Sequence, residues 1–148
     1  MTALAANAPR QTRNDSGKTE LEGLIATSSV IFDGAFVVKT ATGTLKPASN
    51  TAAEYFHGMA VIENPQSAGP GITGDGTLRV KTVSNLDVLC AIEAGLTAAD
   101  VGKALWCQDD NTMGTTTSNG PKACVLVEFI TEAASWVRLG APALDVSP

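Results

Sequence analysis

Short segments rich in β-branched residues, each soon ended by Gly, Pro, Asn or Asp, run through most of this chain. In residues 77–83, apolar and basic side chains alternate with the period of a half-buried strand. The one helical signal is at residues 97–102, where Thr97 and Asp100 have the spacing of a capping box and Gly102 can end the turn. The pattern predicts a mainly β fold, a compact β-sandwich or small β-barrel of short antiparallel strands with one short helical turn. The other predicted strands are residues 30–39, 57–63, 86–92, 104–108, 122–131 and 135–139.

The first 28 residues differ in composition from the rest of the chain. They are rich in Ala, Thr, Asn and Ser, and apolar residues are sparse before Leu21. We expect residues 1–28 to form an extended N-terminal arm, loose in isolation, that orders on a partner; a plain disordered terminus is the alternative. Residues 29–140 are predicted to form one β-rich domain, and residues 141–148 a loose C-terminal tail.

Charge excludes some classes of partner. Only 17% of the residues are charged, and the formal net charge is -5. A general nucleic-acid binder would need a basic face, so no nucleic-acid partner is predicted. No membrane span and no targeting segment is predicted either, so we expect the chain to be made and kept in the cytoplasm or assembled there.

Cysteine usage predicts structure rather than chemistry. Cys90, Cys107 and Cys124 each lie in an apolar run, their number is odd, and no C-x-x-C motif occurs. Buried free thiols fit this pattern best. A disulfide fits less well, and a thiolate metal site would lack paired ligand spacing. No metal and no cofactor is therefore predicted.

A search for catalytic residues gives no assembled set. His57 is the only histidine, and no G-x-S-x-G motif is present. Asp109, Asp110 and Asn111 offer oxygen ligands for a cation, but a polar turn between strands explains them better. Trp106 lies within an apolar run, where core packing is expected. The sequence predicts that the protein is not an enzyme.

One segment resembles a known family. Residues 96–112 read Leu-Thr-Ala-Ala-Asp-Val-Gly-Lys-Ala-Leu-Trp-Cys-Gln-Asp-Asp-Asn-Thr. This is similar to the signature of the small capsid cement, or head-decoration, proteins of tailed bacteriophages, in which a Thr-Ala-Ala-Asp-Val-Gly-Lys turn leads into a strand and then an Asp-Asp turn. Weaker similarity of turns and strands covers most of residues 29–140. It is carried by residues 31–37, 43–47, 58–61, 74–81, 120–127 and 135–139.

The resemblance implies a structural role on a virion. It implies a homotrimer that sits on the outer capsid surface, bridges neighbouring subunits of the major capsid protein and stabilises the expanded head. Assembly would take place in the host cytoplasm. A basic arm on an acidic body could pair with capsid carboxylates, so Arg10, Arg13 and Lys18 are the predicted capsid-docking residues. Solvated charge of little energetic value is the alternative for these three residues.

Two other functions stay open at this point. The first is a β-type ligand-binding module on a virion surface that recognises a host glycan, with the Thr- and Ser-rich loop at residues 112–122 as its binding loop. The second is a hydrolase, against which the absence of a recognisable nucleophile and base counts.

Overall fold

The computed structural model describes residues 3–51, 54–62, 70–116 and 121–140. The predicted C-terminal tail lies outside these residues. The described chain is mainly β, as predicted, with a single 3-10 turn at Ala98–Asp100. Its strands are β1 (Thr12–Arg13), β2 (Thr19–Leu24), β3 (Val30–Ile31), β4 (Phe36–Lys39), β5 (Leu45–Pro47), β6 (Tyr55–Val61), β7 (Ile72–Thr73), β8 (Arg79–Ser84), β9 (Asp87–Ile92), β10 (Ala104–Cys107), β11 (Thr112–Gly114), β12 (Lys122–Glu128) and β13 (Ser135–Leu139).

The C-terminal half of the described chain forms a closed barrel. The strands follow the order β9, β11, β10, β12, β13, and β13 pairs back onto β9. These pairings are antiparallel except β11 with β9, which is parallel. The long connection from β9 to β10, which includes the 3-10 turn, carries the chain across so that β11 can run in the direction of β9. Closure satisfies the strand edges that an open sheet would leave unpaired.

A five-stranded antiparallel sheet packs on the barrel in the order β2, β8, β6, β4, β5. Its two outer strands meet at an isolated parallel bridge between Ile25 and Leu45. The amide of Ala26 also donates to the Leu45 carbonyl over 2.8 Å. Gly23 permits this approach, because a Cβ at that position would lie 2.5 Å from Cδ1 of Leu45.

Two hydrophobic clusters share the strands of this sheet. Phe36 and Val38 of β4 point to the larger cluster, which fills the barrel. Val37, between them, points to a smaller cluster with Ile25 and Leu45. Because side chains alternate along a strand, β4 contributes to both cores and fixes the sheet against the barrel.

The N-terminal segment differs from the prediction of a loose arm that ends at residue 28. Arg13 of β1 pairs with Asp87 of β9, all six residues of β2 pair with β8, and Ile25 is fully buried. Residues 12–25 therefore belong to the domain. The sequence carries a signal for this, because Glu20 and Glu22 alternate with less polar residues in the pattern of a half-buried strand. In the structure both glutamates are exposed, and the residues that alternate with them are half-buried.

The predicted helical turn is confirmed. Oγ1 of Thr97 accepts from the amide of Ala99 over 3.3 Å, and Oδ2 of Asp100 accepts from the amide of Thr97 over 2.8 Å, which completes the capping box. Gly102 follows with a φ of +95°, in the left-handed region that favours glycine.

Candidate docking surface

Arg10, the first predicted docking residue, joins the two sheets. Its Nε donates to the carbonyl of Gly34 over 2.6 Å, and its Nη2 donates to Oδ1 of Asn111 over 2.9 Å. The guanidinium carbon lies 4.7 Å from the centroid of the Phe36 ring. Gly34 precedes β4 of the five-stranded sheet, whereas Asn111 precedes β11 of the barrel. Arg10 therefore fastens the N-terminal segment where the two sheets meet.

Arg13, the second, lies on the outer wall of the barrel. Its Nη1 donates to Oε2 of Glu128 over 2.8 Å, and its Nε lies 3.3 Å from Oδ2 of Asp87. Its guanidinium carbon is 4.2 Å from the centroid of the Trp136 ring. A guanidinium over an indole face adds a cation–π attraction to these bonds. Arg13 thus holds β1 on the barrel and covers one face of Trp136.

Asp87 is the centre of this contact network, although its side chain is only 1% exposed. It accepts from Nε and Nη2 of Arg138 over 2.8 and 3.2 Å, and from Nδ2 of Asn14 over 2.7 Å. Burial alone would raise the pKa of Asp87, but the hydrogen bonds from Arg138 and Asn14 outweigh it and hold the pKa below its usual value. Asp87 was not predicted as a functional residue, although a charged residue within an apolar run is a signal of such a role.

Lys18, the third predicted docking residue, is exposed between β1 and β2. Its Nζ lies 3.5 Å from Oε1 of Glu20. Lys18 and Arg10 line one groove of about 350 Å³, and Arg13 is not among the described residues that line it. Arg10 and Arg13 also make their polar contacts within the chain. Docking of these three residues on a capsid stays a prediction.

A groove of about 530 Å³ lies on the outer side of the β12–β13 hairpin. Val125 and Val127 are apolar residues of its lining, and Val125 is 37% exposed. Lys122 and Arg138 are its cations, and none of the described residues that line it carries a carboxylate. Because β12 pairs with β10 and β13 on its two sides, this groove presents side chains rather than a free strand edge.

The histidine of the chain is buried and takes part in a hydrogen bond within the domain. His57 is 6% exposed, and its Nδ1 lies 2.7 Å from Oγ1 of Thr82. Burial, together with the charge of Lys39, lowers the pKa of His57, so its neutral form is favoured near pH 7.

The three cysteines are free and buried, as predicted. Burial raises the pKa of Cys90 to about 12 and also raises the pKa values of Cys107 and Cys124. A thiol that stays protonated is a poor nucleophile and a poor metal ligand. Among the residues that the structure describes, no group of three or more His, Cys, Asp or Glu side chains is placed to hold a metal ion. In the same ranges, no helix has the length and apolarity needed to cross a bilayer.

The predicted polar turn at Asp109 is confirmed. Its Oδ1 accepts from the amides of Asn111 and Thr112 over 2.8 and 2.7 Å, so the carboxylate stabilises the entry to β11. Trp106, for which core packing was expected, is half-buried on the barrel instead. It alternates along β10 with Leu105 and Cys107, whose side chains point into the core.

No protein-family model matches the chain, and a search of curated proteins gives no match.

Proposed function

We propose that this protein is a capsid cement protein that binds the outer surface of an expanded tailed-phage head. The observation that carries the proposal is residues 96–112, which resemble the signature of that family. In this chain they form a capped 3-10 turn, strand β10 and the turn at Asp109. All three parts stabilise the fold, so the similarity supports a shared structural element and not a shared catalytic site.

The surroundings of the reactive groups support a non-catalytic role. His57 is buried against Thr82, and the thiol of Cys90 is buried with a raised pKa. General base catalysis and nucleophilic catalysis both need such a group within reach of a substrate. The closed barrel supports the same role, because it lets a small protein stay dispersed before assembly without exposing long strand edges.

The proposed partner is the major capsid protein, and the proposed assembly is a homotrimer on the virion surface. A ligand stabilises a shell only if it binds the expanded state more tightly than the precursor. A trimer would hold three weak contacts at high effective concentration, which raises the overall affinity without new contacts.

The proposal is tested with the purified full chain and expanded heads assembled without it. We expect light scattering to give the mass of a trimer, and co-sedimentation to give saturable binding at a fixed ratio to the major capsid protein. A chain that stays in the supernatant at every concentration with heads of the phage that encodes it would overturn the proposal.

Glycan binding by the loop at residues 112–122 has less support. The hydroxyls of Thr115 and Thr116 both donate to the carboxylate of Glu93, over 3.2 and 2.6 Å. One face of Trp136 is covered by Arg13, which reduces the aromatic surface on which a sugar could stack. Residues 117–120 of this loop lie outside the described ranges.

A further inference from the structure

We propose that the groove on the β12–β13 hairpin receives an extended segment of the major capsid protein that carries a carboxylate beside an apolar side chain. This inference rests on the proposed function and names the surface and the chemistry of the contact. The groove is defined here by Lys122, Val125, Val127 and Arg138.

Arg138 is already oriented for such a partner. Asp87 accepts from its Nε and Nη2, which fixes the plane of the guanidinium. The side chain is still 57% exposed, and Nη1 takes no part in the bonds to Asp87. Because the guanidinium is ordered before the partner arrives, less conformational entropy is lost on binding.

The charge of the groove also favours such a partner. Among the described residues that line it, Lys122 and Arg138 carry charge and none carries a carboxylate, on a chain whose net charge is -5. A local cationic surface favours an anionic segment. The net charge of -5 on each copy makes two whole copies of the chain repel one another. The main-chain groups of β12 are paired on both sides, so recognition has to come from side chains.

An exposed apolar surface lies beside these cations. Val125 pairs in register with Arg138 across the hairpin, so the valine and the guanidinium stand on the same face of the barrel. Val101 adds to the exposed apolar surface nearby, because the amide of Gly102 donates to the Leu126 carbonyl over 2.8 Å. An apolar side chain next to a carboxylate would cover this surface while its charge meets Lys122 or Arg138.

The experiment compares Lys122→Glu and Val125→Ser with the wild-type full chain in binding to expanded heads. The matched control is Arg79→Glu, which reverses an exposed charge on the five-stranded sheet. We expect at least about a tenfold weaker binding for Lys122→Glu, a smaller loss for Val125→Ser and wild-type binding for Arg79→Glu. Thermal unfolding and light scattering of each variant should match the wild type, because Lys122 and Val125 are exposed.

The outcomes separate this inference from the proposed function. If the wild type binds heads and both groove variants bind as tightly as the wild type, the groove is not the contact, although the cement function stands. If Lys122→Glu changes the mass in solution as well as the binding, the groove is an interface between copies and the inference is wrong. A further pair of variants lacks residues 141–148, one with Lys122→Glu and one without it. If Lys122→Glu weakens binding in the full chain but not in this truncated chain, the groove binds the chain's own terminus and the inference is wrong. If the wild type does not bind at all, the proposed function fails first.

Discussion

The barrel and the five-stranded sheet reach closure in different ways. The barrel closes through a full strand pairing of β9 with β13, and its strands come from one stretch of chain, residues 87–139. The five-stranded sheet closes through the single bridge between Ile25 and Leu45, and it needs β2 from the N-terminal segment. The N-terminal segment is thus a structural part of the sheet, whereas it contacts the barrel through β1 and through separate hydrogen bonds of Leu4, Arg10, Arg13 and Asn14.

The largest effect is expected from deletion of residues 1–28. The deletion removes β2 with its six residue pairs and the buried Ile25, so the five-stranded sheet loses one edge and part of its core. We expect hydrogen exchange to show fast exchange throughout β4, β6 and β8, with protection retained in β12 and β13. Deletion of residues 1–3 is the control and should leave the exchange pattern unchanged. Retained protection in β8 after the longer deletion would show that the sheet does not need β2.

Two single substitutions sharpen the same comparison. Ile25 and Leu126 are both fully buried, one in the smaller cluster and the other in the barrel. Substitution of either by Ala should lower the free energy of unfolding by about 2–5 kcal/mol in chemical denaturation. Hydrogen exchange should separate them, because Ile25→Ala loosens the sheet and Leu126→Ala loosens the barrel. Equal loosening of both regions by each variant would mean that the two clusters unfold as one.

The Asp87 network should give an intermediate effect that depends on pH. Replacement by Asn removes the charge that faces Arg13 and Arg138, and we expect a loss of about 1–3 kcal/mol at pH 7. Because the pKa of Asp87 is lowered in the folded state, its contribution is present above the unfolded value near 4 and is lost as the pH falls through the folded value. Denaturation series should therefore show wild type and Asp87→Asn converging in acid. A constant difference from pH 7 to pH 2 would contradict this account.

The smallest effect is expected at the 3-10 turn. Thr97→Ala removes the hydroxyl that accepts from the amide of Ala99, and such caps contribute about 1 kcal/mol. Thr97→Ser keeps a hydroxyl and should restore most of the stability, as measured by thermal unfolding. An equal loss in both variants would assign the effect to packing of the threonine methyl group instead of the cap.

Local patterns made much of the fold predictable from the sequence. The capping box at Thr97 and the turn at Asp109 depend on neighbours in the chain, and the structure has both. The alternation predicted for residues 77–83 is present over residues 79–82, whereas Leu78 is exposed before the strand begins. The buried free cysteines followed equally from their apolar surroundings.

Long-range pairing could not be derived in the same way. The contacts of Arg13 with Asp87 and of Leu4 with Asp110 join residues far apart in the chain, so no local pattern specifies them. The arginines of the N-terminal segment therefore appeared available to a partner, whereas Arg10 and Arg13 are used to hold that segment on the domain. The groove on β12 and β13 was also missed, because it depends on which side chains the barrel places next to one another.

The central claim is that this chain is a cement protein of an expanded head, and the most direct measurement is a titration of the full chain against expanded and precursor heads side by side. The account predicts saturable binding to expanded heads and at least about a tenfold weaker binding to precursor heads, because only a difference in affinity stabilises the expanded state. Equal binding to both forms, or binding to neither, would contradict it.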